Sequence, residues 1–237
     1  MSKMKRIVCI ILLFSVVFTA FCSCKNRSEE EEFARAMAEY RLSKLEAYEE
    51  ENPKFTDFEV DAVFLGDSLT DGYDLGKYYP DLLVLNRGIG GDTTVGLEER
   101  LGVSVYDVVP KVAVMLIGAN NMREMFENYE NILVGLRDNL PNTKIILLSL
   151  TSMSGNWGKN NQLAAYNNVK IKKLAEKYSY DFVDLYSPLM NLETGEIFAE
   201  YTTDGGHLTD LGYEVLTAEI TPALERQLAL WHAENGR

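Results

Sequence analysis

An uninterrupted run of six apolar residues at 112–117, Val-Ala-Val-Met-Leu-Ile, is the feature that most restricts how this chain can fold. The run shows no alternation of polar and apolar side chains, so a strand formed here would be buried on both faces. Strands of that kind occur in parallel sheets that carry helices on each side. Four more apolar segments alternate with helical patterns after Phe58. The sequence therefore predicts a three-layer α/β domain in which right-handed crossovers join five parallel strands.

The predicted elements follow from these patterns. The five strands are expected at Val60–Leu65, Leu82–Leu85, Lys111–Ile117, Lys144–Leu150 and Asp181–Leu185. The principal helices are expected at Thr93–Leu101, Arg123–Asn139, Asn161–Tyr178 and Thr209–Leu230.

The first 24 residues have the pattern of a secretory signal peptide. Three basic residues precede the apolar stretch 7–21, which is shorter than the ~20 residues that span a bilayer. The segment 21–24, Phe-Cys-Ser-Cys, resembles the cleavage box of bacterial lipoproteins, although Phe21 stands where an aliphatic residue is usual. We expect acylation of Cys24, which would attach the protein to a membrane by a lipid anchor only. An uncleaved or differently cleaved leader is the alternative.

Residues 25–57 are expected to form a charged tether followed by a helix, and residues 58–237 the α/β domain. Four consecutive glutamates at 29–32 suit the beginning of a helix, and Asn52-Pro53 suits its end. All three cysteines lie within the leader, so no disulfide is expected in the α/β domain. The net charge of −13 becomes more negative once the basic leader is removed. Such a surface repels phosphates, which excludes nucleic acid as a partner.

Polar residues follow three of the predicted strands. Ser68 lies in the turn Gly-Asp-Ser after the first strand, where open α/β sheets hold their ligands; the alternative is a serine that caps the next helix. The turn 88–94 contains three glycines, which free the backbone to present N–H groups, and Gly91 is among them. It lacks the spacing of a phosphate-binding loop, so a donor to an oxyanion is favoured. Asn120 follows the third strand and could donate to a developing negative charge, unless it is only a turn residue.

His207 is the predicted general base. The chain has two histidines, and His232, beside Trp231 near the end, is expected to be a solvated tail residue. A serine hydroxyl is a weak nucleophile at neutral pH and needs such a base. Asp204 precedes His207 by three residues, close enough to hold the imidazole by a hydrogen bond.

These four blocks together resemble the SGNH, or GDSL-like, hydrolase family. Ser68, Gly91, Asn120 and His207 occur in the order of the four letters, and the likeness spans about residues 58–230. The blocks at 88–94 and 118–121 are most similar to platelet-activating-factor acetylhydrolase α subunits and bacterial acetylesterases. Asn121 stands where many members have Asp, at a position without a catalytic role.

The resemblance implies a flavodoxin-like sheet and ester hydrolysis through an acyl-serine. It implies Ser68 as nucleophile, His207 as base and Asp204 as the residue that orients it. The implied oxyanion hole consists of the N–H groups of Ser68 and Gly91 and the side-chain amide of Asn120. No cofactor is implied, and no His, Cys and carboxylate cluster has the spacing of a metal site.

The sequence thus predicts an exported serine esterase that removes short acyl groups, acetyl in particular, from small-molecule or glycan esters. The carbohydrate substrate is inferred from export and family analogy. A lysophospholipase or thioesterase, and a non-catalytic, surface-tethered binding protein on the same fold, are the alternatives. Trp157, Tyr73 and Tyr201 are candidates for the border of the cleft, whereas Asp67, Asp71 and Asp92 are expected to brace loops.

Overall fold

The computed structural model describes residues 30–236, which divide into two compact units between Ser43 and Lys44. The described part of the first unit, 30–43, is helical. The predicted signal peptide and Cys24 lie outside the described residues. The prediction begins the α/β domain at 58, and the unit that contains the sheet begins at Lys44. No helix in 30–236 is both long and apolar enough to cross a membrane.

The second unit is built on a five-stranded, all-parallel sheet with the strand order β2-β1-β3-β4-β5. This is the flavodoxin-like order, in which the chain reverses its direction of winding between β1 and β3. The prediction of a three-layer α/β fold with five parallel strands is confirmed. The carboxyl ends of β1, β2 and β3 meet at one edge of the sheet, and the turns that follow them supply Ser68, Gly91 and Asn120.

The bounds of the elements are as follows. The strands are β1 Ala62–Gly66, β2 Val84–Gly88, β3 Val112–Leu116, β4 Lys144–Leu148, β5 Asp181–Val183 and a separate antiparallel pair of β6 Met190–Asn191 with β7 Glu196–Ile197. The helices are α1 44–51, α2 Ser68–Asp71, α3 Leu75–Tyr78, α4 Thr94–Glu99, α5 Phe126–Asn139, α6 Asn161–Tyr178, α7 Tyr186–Leu189 and α8 Asp210–Asn235.

The sheet is covered on both faces, as its apolar strands require. Along β3, Ala113 and Met115 contribute to one core, together with buried residues of α4, α5 and α6. Val112 and Val114, which alternate with them, contribute to a second core with α2, α3 and α8. Because side chains alternate between the faces of a strand, an uninterrupted apolar run feeds both cores.

The predicted element bounds differ from the structure mainly at the ends. The second strand begins at Val84 rather than Leu82, because Leu83 bonds through its backbone to Asp61 in the connection that precedes the strand. The last helix continues to Asn235, five residues beyond the prediction. Trp231 is only 1 % exposed there, and the ring of His232 packs edge-on against it. The expectation that His232 is a solvated tail residue is therefore wrong.

Candidate active site

Ser68 begins α2 directly after β1, at a turn that the local sequence makes very tight. A Cβ atom on Gly66 would lie 2.3 Å from the carbonyl oxygen of Leu116 on β3, so only glycine fits. Asp67 caps α2 by accepting a hydrogen bond from the Leu69 N–H at 3.2 Å. The hydroxyl of Ser68 is left to face the opposite loop, so the cap is Asp67 rather than Ser68.

The side chains of Ser68, His207 and Asp204 form a continuous hydrogen-bonded chain. His207 Nε2 lies 3.1 Å from Ser68 Oγ, and His207 Nδ1 lies 2.8 Å from Asp204 Oδ2. The other Asp204 oxygen accepts the backbone N–H groups of His207 and Gly206 at 2.8 and 2.9 Å. The hydrogen bonds from His207, first backbone and then side chain, lower the pKa of Asp204 to about 2. Asp204 is therefore a carboxylate at neutral pH.

The loop that carries His207 is fixed by its own backbone. The His207 carbonyl accepts hydrogen bonds from the Thr203 N–H and the Thr202 hydroxyl. Gly205 has a φ of 91°, and a Cβ there would lie 2.3 Å from the carbonyl oxygen of Ser154. The Ser154 N–H donates to Gly205, which ties the histidine loop to the loop after β4. The imidazole is thus held in place although its side chain is 46 % exposed.

Asn120 follows β3, and its side-chain amide donates to the carbonyl oxygen of Asp92 at 2.9 Å. An amide carries two N–H donors, so this bond fixes the group and leaves a second donor for a ligand. Gly91 precedes Asp92 in an exposed turn and has a φ of 77°, which favours glycine. The structure thus brings the turns of Gly91 and Asn120 together, although Gly91 does not line the pocket described below.

Arg100, which the sequence pattern did not single out, links the ends of β1 and β2 to the turn that carries Asp92. Its buried guanidinium donates to Asp92 Oδ2 at 2.7 Å and to the carbonyl oxygens of Gly66 and Arg87. It also donates to the Ser104 hydroxyl. A buried charge needs this many partners to offset its lost hydration. An arginine within the otherwise apolar stretch after α4 was the signal available in the sequence.

A small pocket of about 30 Å³ opens beside Ser68. Its polar lining includes Ser68, Asn120 and His207, and its other residues are Asp67, Leu69, Ala119, Thr151, Met153, Trp157 and Gly206. The Trp157 ring is edge-on to the His207 ring, with centroids 6.2 Å apart. It also covers Gly206, where a Cβ would lie 2.9 Å from the indole. Trp157 therefore forms a wall of the pocket.

Two other aromatic candidates do not line this pocket. Tyr73 is buried and stacks on Tyr213 within the core between the sheet and α8. Tyr201 packs edge-on against Phe198. Asp71 and Asp92 brace loops, through Lys44 and Arg100 respectively. Within residues 30–236, no group of three His, Cys, Asp or Glu side chains could hold a metal ion.

A serine hydroxyl bonded to an imidazole, with a carboxylate on the other ring nitrogen, is the arrangement that activates serine toward carbonyl carbon. Asn120 lines the same pocket as Ser68, so its second amide hydrogen is available to an oxyanion that forms there. The geometry therefore suits acyl transfer.

Comparisons with known proteins agree with this chemistry. The model of the GDSL-like lipase/acylhydrolase family matches residues 64–215. A Streptococcus pneumonia protein, provisionally described as a platelet activating factor, is 26% identical with a TM-score of 0.74, over 82% of this chain and 97% of that one. A GDSL-like lipase from Bacteroides thetaiotaomicron is 25% identical with a TM-score of 0.68, over 77% and 97%.

An acetyl-xylooligosaccharide esterase from Geobacillus Stearmophilus, solved as a mutant, shares the fold at 19% identity and a TM-score of 0.59, over 71% of this chain and 95% of that one. No curated protein matches this chain. The family model covers well over half of the sequence, and the similar structures extend over nearly the whole of the solved chains. The protein is a carboxylic ester hydrolase and belongs to the GDSL-like lipase/acylhydrolase family.

Proposed function

We propose that this protein is an exported, lipid-anchored serine esterase that removes short acyl groups, acetyl above all, from carbohydrate esters. The observation that carries the serine mechanism is the unbroken chain Asp204–His207–Ser68, with contacts of 2.8 and 3.1 Å. The export and the anchor rest on the leader and Cys24. The carbohydrate substrate rests on the expectation that an exported esterase meets acetylated glycans.

In the proposed reaction, Ser68 Oγ attacks the ester carbonyl and its proton passes to His207 Nε2. Asp204 holds the Nδ1–H and stabilises the imidazolium. The oxyanion accepts hydrogen bonds from the backbone N–H groups of Ser68 and Gly91 and from the second amide hydrogen of Asn120. The alcohol leaves with the proton from His207. Water, deprotonated by His207, then attacks the acyl-serine, and the carboxylic acid leaves as Ser68 regains its proton.

The preference for short acyl groups is supported by the size of the pocket. Its volume of about 30 Å³ is a small fraction of the roughly 150 Å³ of an engineered cavity that holds benzene. Trp157 and Met153 are among its lining residues, and we expect them to hinder a long alkyl chain more than an acetyl group. Among proteins with this fold, the Geobacillus enzyme is named for acetylated xylooligosaccharides. That likeness establishes the fold, and the substrate remains our proposal.

A p-nitrophenyl ester series from acetate to palmitate tests the activity, with the full chain, Ser68→Ala and Ser187→Ala. Ser187 is the matched control, because its exposed hydroxyl donates to the Asp184 carboxylate without a histidine. We expect hydrolysis to peak at acetate, to vanish in Ser68→Ala and to persist in Ser187→Ala. A rate that Ser68→Ala retains would contradict the serine mechanism. Inactivity of the wild-type chain on every ester would favour the binding-protein alternative.

The acyl acceptor is tested with an acetylated xylooligosaccharide, a lysophospholipid and an acyl thioester, compared at equal concentration by product release. The proposal predicts that kcat/KM is highest for the acetylated saccharide. A higher value for the lysophospholipid or the thioester would replace the carbohydrate substrate with one of those classes. Membrane fractionation of the wild type and Cys24→Ala tests the anchor, and release of the protein by the substitution is the expected result.

A further inference from the structure

Asp67 is a buried acid beside the nucleophile that the reaction described above does not use. Its side chain is only 1 % exposed. Oδ1 caps α2 through the Leu69 N–H. Oδ2 is buried and makes no hydrogen bond with any described residue. Buried polar atoms are nearly always paired, so an exception at a functional site requires an explanation.

The carboxyl of Asp67 lies between the turn of Ser68 and the turn of Asn120. It lines the pocket with both residues. The Ala119 N–H, directly before Asn120, is near enough to lower its pKa slightly but falls short of hydrogen-bond geometry. Three other ionisable groups face it from the surrounding elements. They are Asp92, which is paired with Arg100, His207 on the loop before α8, and the Tyr213 phenol on α8.

Burial is the dominant influence on this acid and raises the pKa of Asp67 to about 7. The Asp92 charge adds to the increase, whereas the Leu69 N–H and His207 oppose it. An ionised Asp67 therefore costs folding free energy at neutral pH. Capping does not require that cost, since asparagine caps a helix as well as aspartate does.

We propose that Asp67 is a positioning residue for the hydrolysis, whose carboxylate holds the turns of Ser68 and Asn120 together and whose charge favours protonation of His207 as Ser68 attacks. The proposal rests on the proposed serine mechanism. Asp67 acts through Ser68, Asn120 and His207 and touches no reacting atom. An asparagine that caps α2 with its oxygen would turn its NH₂ group toward the Ala119 N–H, so two donors would face each other. It would also remove the charge near His207.

The test compares the full chain with Asp67→Asn and with Asp74→Asn. Asp74 is the matched control, because it caps α3 through the Lys77 N–H and is exposed outside the pocket. We measure kcat and KM for p-nitrophenyl acetate from pH 5 to 9, and thermal unfolding at pH 8. In Asp67→Asn we expect kcat to fall about tenfold or more with little change in KM, as for a misplaced catalytic group.

Two further readouts separate positioning from a structural role. Because the pKa of Asp67 is about 7, its charge is present only above that pH. The loss of kcat in Asp67→Asn should therefore be largest at pH 8 to 9 and small at pH 5, which changes the pH profile. The Tm at pH 8 should rise or stay constant, because a buried charge is removed. Asp74→Asn should change none of these values. If Asp67→Asn does not fold, Asp67→Ser, which also caps, replaces it.

Three results would overturn the proposal. The first is an active wild type with unchanged kcat in Asp67→Asn, which refutes the role of Asp67 alone. The second is a kcat loss that accompanies a lower Tm and an unshifted pH profile, which shows a structural cap. The third is a wild type without activity on any ester, which refutes the serine mechanism and the role of Asp67 together.

Discussion

The two aspartates closest to the nucleophile and its base, Asp67 and Asp204, are held in opposite ways. Asp204 is 47 % exposed, receives hydrogen bonds on both oxygens, and has a pKa lowered to about 2. Asp67 is buried, receives one hydrogen bond, and has a pKa raised to about 7. The difference shows that hydrogen-bond donors keep a carboxyl group ionised at neutral pH, whereas burial with few donors favours its protonated form. The loop of Asp204 supplies three hydrogen bonds, whereas the turn of Asp67 supplies one, from the Leu69 N–H, at a buried position.

This contrast divides the site into two regions. The exposed region, at Asp204 and His207, carries a fixed charge that local backbone groups stabilise. The strand-end region, at Asp67 and Asn120, follows the carboxyl ends of β1 and β3. Asp67 is buried there, whereas Asn120 is exposed.

The exposed region is tested most strongly by Asp204→Asn. The new amide still accepts the backbone N–H groups but presents a donor to His207 Nδ1, which favours the wrong imidazole tautomer. We expect kcat for p-nitrophenyl acetate to fall about 10³–10⁴-fold, by analogy with other serine triads. Asp210→Asn, an exposed change at the beginning of α8, is the control and should remain near the wild-type rate. A loss below tenfold would show that Asp204 does not orient the base.

The strand-end region is tested by Asn120→Ala, which removes the proposed side-chain donor to the oxyanion. We expect kcat to fall about 10²–10³-fold with KM nearly constant, since the bond strengthens in the transition state. Asn139→Ala is the control, because Asn139 is exposed, donates to the Gly135 carbonyl in its own helix and does not line the pocket. A loss under threefold would contradict the oxyanion role and would leave Asn120 as a brace for Asp92.

Much of this division could be predicted from the sequence, because the relevant patterns are local. The apolar run at 112–117 predicted the sheet, and the Gly-Asp-Ser turn after β1 predicted the place of Ser68. The three-residue spacing of Asp204 and His207 predicted their contact, which the structure shows at 2.8 Å.

The rest could not be predicted, because it depends on distant segments meeting in space. The bonds of Arg100 to Gly66 and Arg87 join the carboxyl ends of two strands, β1 and β2. The burial of Asp67 depends on what packs around the turn, so its sequence predicted only a brace. The place of Trp157 on Gly206 depends on two loops that no local pattern relates.

Trp157→Ala tests whether the indole that lines the pocket beside His207 limits the length of the acyl chain. Removing the indole opens the space over Gly206, so longer acyl chains should fit better. We expect the kcat/KM ratio of octanoate to acetate esters to rise about tenfold or more, since one or two methylene contacts carry that much discrimination. Tyr166→Ala, an exposed aromatic change on α6, is the control. An unchanged ratio would mean that Trp157 does not limit chain length.

The smallest effects concern stability, and they should have opposite signs for the two aspartates. The folded pKa of Asp67 lies above the ordinary value of 3.8, so the folded state binds an extra proton between about pH 4 and 7 and loses stability as pH rises through that window. The folded pKa of Asp204 lies below 3.8, so its contribution is present above about pH 4 and is lost as pH falls toward 2. Because Asp204 is half exposed, solvent screening keeps this contribution small.

Urea unfolding of the wild type, Asp67→Asn and Asp204→Asn from pH 3 to 8 measures both contributions. The stability of Asp67→Asn relative to the wild type should increase between pH 4 and 7, by up to a few kcal/mol for a shift of about three pKa units. The stability of Asp204→Asn relative to the wild type should decrease slightly between pH 3 and 4 and then stay constant. If the Asp67→Asn difference were flat with pH, the carboxyl would titrate like that of an exposed aspartate. The contrast between the two regions would then reduce to exposure alone, without a stored charge beside the nucleophile.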